Sequence, residues 1–347
     1  MVFGNLFGRS GDRGIDASNG AERPALEPPA IGLALGGGSA RGFAHIGIIR
    51  RLIAHGIKPE IVVGTSIGAV VGGCYAGDQL DEFETWSRTL TRRGLLGYLD
   101  ISLSGSGLIR GGRLTARLEA GLGDIKIEDL PLRFATIATE VGSGHEIWLT
   151  HGRVVDALRA SYALPGIFPP VRIGGRWLVD GALVNPVPVS ATRALGARLV
   201  IAVNLNADLL GHGGTIANHG SDENDELFRE ELGRRTGLRG LFGSERALRR
   251  QFLGGSRQPA IPMVMADAFN IMQDRITRAR LAGDRPDVII NPRLGHIGWF
   301  DFHRAQEAIE IGEQAAERAL SEIDQAMRVL SAPPAPTISG RGAPPPN

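Results

Sequence analysis

The sequence predicts an α/β protein with a mostly parallel central sheet covered by helices on both faces. Three observations carry this. Short continuous apolar runs recur along the chain, longer amphipathic segments separate them, and glycine and proline are frequent. A strand that is apolar throughout is buried on both sides, which calls for helices above and below the sheet. With 347 residues, 43% of them hydrophobic, the chain can bury a large core, and 49 glycines and 20 prolines provide for tight turns.

Residues 1–29 and 332–347 are rich in Pro, Gly and small polar residues and read as disordered tails around one domain, 30–331. Inside it, "IGLAL" (31–35), "EIVVG" (60–64), "RFATIATEV" (133–141), "RLVIAVNL" (198–205) and "DVIIN" (287–291) read as strands. Helices are expected near 42–55, 67–76, 80–91, 153–162, 186–195 and 302–329. Residues 207–258 break the alternation and read as an insertion. Within it, 229–250 carries seven arginines against three glutamates with Leu and Phe interspersed. Such a segment suits either a solvated lid or peripheral contact with an anionic membrane.

Composition excludes several classes. A net charge of +1 gives no global attraction for nucleic acid. The single cysteine, Cys74, rules out an internal disulfide framework and fits a cytoplasmic protein, at most peripheral on the inner membrane face. The N-terminal residues lack the apolar core of a secretory signal, and the longest uncharged run, 61–77, is short and glycine-rich for a membrane span. The eight histidines show no metal-ligand spacing, so neither metal nor cofactor is expected.

Three stretches carry chemistry. The loop "LGGGSARGF" after the first strand offers backbone N–H groups to an anion. It is no dinucleotide fingerprint: counting from Gly36 and Gly38, Arg41 stands where the third glycine belongs. A P-loop fails too, since Phe43 and Ala44 replace its lysine and hydroxyl residue. A purely structural glycine turn remains open. Next, Gly64-Thr65-Ser66-Ile67-Gly68 is a G-x-S-x-G where an apolar strand gives way to a helix, the context that lifts a serine out as a nucleophile. Third, Asp180-Gly181-Ala182 follows the short apolar strand "WLV", so an aspartate at that strand end could face the serine.

Together, "GGGSARG", "GTSIG", "RASYALPGIFPPV" and "DGA" make the chain resemble the patatin-like phospholipase family over roughly 31–205, more weakly through "FDFHRAQEAIEIG". The resemblance implies a three-layer α/β/α fold and a lipid acyl hydrolase working through a Ser–Asp dyad. Ser66 would be the nucleophile and Asp180 its base. Gly36, Gly37, Gly38, Arg41 and Gly42 would form or support the oxyanion hole, with Gly64, Gly68, Gly181 and Ala182 supporting the motifs. The expected substrate is a phospholipid, a lysophospholipid or another acyl ester. A soluble ester or thioester, an acyl transfer and a non-catalytic scaffold are the alternatives. His296 and His303 follow Asp180 in the order of a triad histidine, and His45 lies just past the glycine loop, so a histidine base is a further alternative.

Overall fold

The computed structural model describes residues 30–91, 112–209 and 261–331. The expected tails, nearly all of the expected insertion and its arginine-rich stretch 229–250 lie outside them. No helix among the described residues is long and apolar enough to cross a membrane.

Five parallel strands form one side of the sheet out to its edge: β1 (Ile31–Leu35), β2 (Ile61–Thr65), β3 (Arg133–Glu140), β7 (Leu199–Val203) and β8 (Val288–Ile290). They pair in the order β3-β2-β1-β7-β8. Beyond β3 the sheet turns antiparallel through β4 (Glu146–Leu149), β6 (Arg176–Asp180) and β5 (Val171–Ile173). Alternate side chains of the parallel strands enter opposite layers, as period-two geometry requires. Leu33, Leu35, Val62, Phe134 and Ile201 face one core, and Ala34, Ile61, Val63, Ala135 and Val200 the other.

Helices α1 (Ala44–Ala54), α2 (Ile67–Ala76), α3 (Leu80–Arg88), α5 (Val154–Ser161) and α8 (Ala305–Ser331) belong to the first core. Helix α6 (Val189–Ala194) and Leu281, near the end of α7 (Ile261–Gly283), close the second face. A further helix, α4 (Gly112–Leu122), packs against α5. The three-layer α/β/α architecture is the one the sequence predicts. Elements not foreseen are α4, α7, β4 and β5.

Helices α1 and α8 cross with almost no side chain between them. A Cβ on Gly47 would sit 2.0 Å from the Ile309 carbonyl oxygen, and one on Gly312 would sit 2.0 Å from that of Ala44. Only a bare backbone fits there. Gly312→Ala is therefore expected to destabilise the protein by about 1–3 kcal/mol through overpacking, against the small gain alanine gives an ordinary helix position. Thermal melting checks this, and an unchanged or higher midpoint would contradict it.

Candidate active site

At the end of β2 the chain reverses sharply into α2, and Ser66 occupies the reversal with φ 57° and ψ −124°. Neighbouring glycines let strand and helix close on each other: a Cβ on Gly64 would lie 2.4 Å from the Ala69 backbone nitrogen, and one on Gly68 would lie 2.3 Å from the Leu35 carbonyl oxygen. The Ser66 N–H donates to Ser161 Oγ at 3.0 Å, and that hydroxyl donates to the Ile137 carbonyl at 2.6 Å. These contacts hold the serine where an ordinary residue is strained.

Asp180 ends β6. Its Oδ2 accepts the Ser66 hydroxyl at 2.7 Å, and its Oδ1 accepts the Ala182 N–H at 2.8 Å. Gly181 lets this turn press on β3, where an added Cβ would meet the Ile137 carbonyl oxygen at 2.2 Å. The carboxyl is buried. Burial disfavours its charged form and pushes the pKa up to about 7, despite the opposing hydrogen bonds from Ser66 and Ala182. A carboxylate so placed can accept a proton near neutrality.

The glycine loop leaves β1 directly beside the pair: a Cβ on Gly37 would lie 3.5 Å from Ser66 Cβ and 3.4 Å from Ala182 Cβ. Two of its three glycine amides are already engaged, Gly36 N–H with the Val203 carbonyl at 3.1 Å and Gly37 N–H with that of Pro186 at 3.0 Å. Gly38 N–H donates to no described group. Arg41 is buried in the short 3-10 helix Ser39–Phe43, and its Nε donates to the Gly38 carbonyl at 3.1 Å. Burial lowers the pKa of its guanidinium to about 10, which still leaves it charged at neutral pH. Gly42 rests on Ile67, the first residue of α2.

Residues 33–193 match the family model of patatin-like phospholipases. An uncharacterized NTE family protein of Mycobacterium tuberculosis is 32% identical over 85% of this chain and 93% of its own length. The chain belongs to the patatin-like phospholipase family. The lysophospholipase NTE1 of Yarrowia lipolytica is 36% identical over 52% of this chain and 13% of that longer protein. Among solved structures, VipD from Legionella pneumophila aligns with a TM-score of 0.46 at 15% identity, covering 85% of this chain and 67% of that one.

In this patatin-like chain two of the three candidate histidines bond to groups other than the pair. His296 Nε2 meets Glu307 Oε1 at 2.9 Å, and His303 lies in the 3-10 helix Phe302–Arg304. His45 is buried with Nε2 2.8 Å from the Gly36 carbonyl, so that nitrogen carries the proton. Desolvation lowers its pKa to about 4 and keeps it neutral. Among the described residues no cluster of His, Cys, Asp and Glu could hold a metal.

An apolar cluster of Leu164, Ala182 and Phe269, with Ile167, Phe168, Leu183 and Trp299 against it, adjoins Asp180 through Ala182. Sequence reasoning missed Ser161, although it lies inside "RASYALPGIFPPV". It also missed Phe269 and the helix that carries it.

Proposed function

We propose that the protein hydrolyses acyl esters of phospholipids or lysophospholipids through an acyl-enzyme on Ser66. The observation that supports this best is the 2.7 Å hydrogen bond from Ser66 Oγ to a buried carboxyl of raised pKa. Ser66 Oγ attacks the ester carbonyl carbon as its proton passes to Asp180 Oδ2. Charge on the carbonyl oxygen falls to the Gly38 amide, in the field of the buried Arg41. The intermediate collapses, and the departing alcohol takes the proton from Asp180. Water then attacks the acyl carbon, gives its proton to the same carboxylate, and Ser66 recovers it on release of the acid. The Leu164–Ala182–Phe269 cluster offers an apolar seat for the acyl chain. The sequence adds a means of reaching the substrate: the arginine-rich stretch 229–250 would hold the enzyme on anionic lipid.

A fluorophosphonate probe tests the nucleophile, and mass spectrometry of the labelled protein should place the adduct on Ser66. The base is tested by pH. Asp180 works only when ionised, so kcat/KM on a short-chain ester should rise with pH and level off above about 7. A profile that has levelled off by pH 5 would mean that this carboxyl is not raised, and full activity in Asp180→Asn would remove it as the base. Release of fatty acid from lysophospholipid micelles, compared with an acyl-thioester, decides the substrate class.

A further inference from the structure

The carbonyls of all three loop glycines are gripped by buried side chains: Gly36 O by His45 Nε2, Gly37 O by Asn206 Nδ2 at 3.3 Å, and Gly38 O by Arg41 Nε. In a trans peptide the C=O of one residue and the N–H of the next lie in one plane and point in opposite directions. Holding the Gly37 carbonyl therefore aims the Gly38 N–H, and holding the Gly38 carbonyl aims the Ser39 N–H.

Two of these grips are themselves held from α7. Asn206 Nδ2 also donates to Gln273 Oε1 at 3.0 Å, and Arg41 NH2 donates to Asn270 Oδ1 at 3.0 Å. Asn270 and Gln273 are three apart, hence on one face of the helix. The same Asn270 oxygen accepts the Trp299 indole N–H at 2.5 Å, while the Trp299 carbonyl accepts Ser39 Oγ at 2.7 Å and the Ala40 N–H. Asn206, Gln273 and Asp274 are buried although polar, which costs stability unless their bonds are made. Asn206, Asn270, Gln273 and Trp299 all lie beyond the stretch that matches the family model.

We propose that Asn270 and Gln273 are positioning residues, which aim the Gly38 amide at the ester carbonyl oxygen by fixing Arg41 and Asn206. This rests on the Ser66 reading above. Asn270 bonds Arg41 and Gln273 bonds Asn206, so each reaches the loop through a second side chain. They act by keeping the donor still, and a small misdirection of such a group lowers the rate far more than it lowers binding.

The test compares Gln273→Leu and Asn270→Leu, which lose the acceptor, with Gln273→Glu and Asn270→Asp, which keep one. The Leu variants should lower kcat on a short-chain ester by about tenfold or more at nearly unchanged KM, and the acidic variants should recover most of it. Amide hydrogen exchange of the peptide covering 35–43 should quicken in the Leu variants alone. That readout needs no activity, so it judges the clamp even if Ser66→Ala proves active and the hydrolase reading falls. Should Gln273→Leu fail to fold, Gln273→Met, closer in shape, makes the same comparison. Unchanged exchange in the loop, or kcat lost equally in the Leu and the acidic variants, overturns the proposal.

Discussion

Ser66→Gly should abolish ester hydrolysis, by a factor on the order of 10⁴ or more, and raise the melting temperature by a few degrees. The first effect follows from removing the hydroxyl that the proposed mechanism acylates, the one bonded to Asp180. The second follows from the backbone. Ser66 sits at φ 57° and ψ −124°, a conformation that costs a residue with a Cβ about 1–3 kcal/mol and costs glycine little. The tight approach of Gly64 to Ala69 and of Gly68 to Leu35 leaves the turn no room to relax. Ser66→Ala separates the two effects, since it removes the hydroxyl but keeps the Cβ and therefore the strain. It should be as inactive as Ser66→Gly without the gain in stability. Thermal melts of both variants beside the wild type check this, and a glycine variant that melts no higher than the alanine variant would refute the strain argument.

Asp180→Asn should be nearly as inactive, because members of one catalytic unit fail together. Its stability should differ from the wild type in a pH-dependent way. The wild-type carboxyl has a folded pKa of about 7 against 3.8 for a free aspartate, so between those values the folded protein holds a proton that the unfolded chain has released. Stability therefore falls as pH rises through that window and stays lowered above it. Asparagine fills the same space without the charge. Asp180→Asn should thus melt progressively higher than the wild type from pH 4 to 7, reaching an advantage on the order of a few kcal/mol. The difference should level off by pH 8. A stability difference independent of pH would mean that burial does not raise this carboxyl.

The parallel strands were legible because a doubly buried strand is written as an unbroken apolar run; "IGLAL" is β1 residue for residue. The same holds for α2, and for Ser66 and Asp180, which stand 114 residues apart but inside motifs with their own local signatures. Helix α7 was not legible for the opposite reason. It exposes Val264, Met265, Ile271 and Met272 while burying Phe269, Gln273 and Thr277, so no single apolar face marks it. Strands β4 and β5 are four and three residues long, too short for a period to show. Three consecutive glycines suggest equivalent donors. That Gly36 and Gly37 amides are spent on Val203 and Pro186 is a fact of sheet and loop pairing, which spacing along the chain does not contain.

The close crossing of α1 and α8 ties the order of synthesis to the onset of function. Helix α1 follows directly on the glycine loop, while its partner is the final helix described, and their contacts include the Arg51–Glu317 ion pair, 266 residues apart in sequence. The loop leaves β1, and of that strand's two neighbours, β2 and β7, the second is also translated late. A ribosome-bound chain that has already made Ser66 and Asp180 thus still lacks the seat on which the loop is held. Such long-range closure is slow to form and leaves apolar helix faces open until the end. A chain cut short before α8 keeps every motif of the site but lacks the helix against which α1 packs.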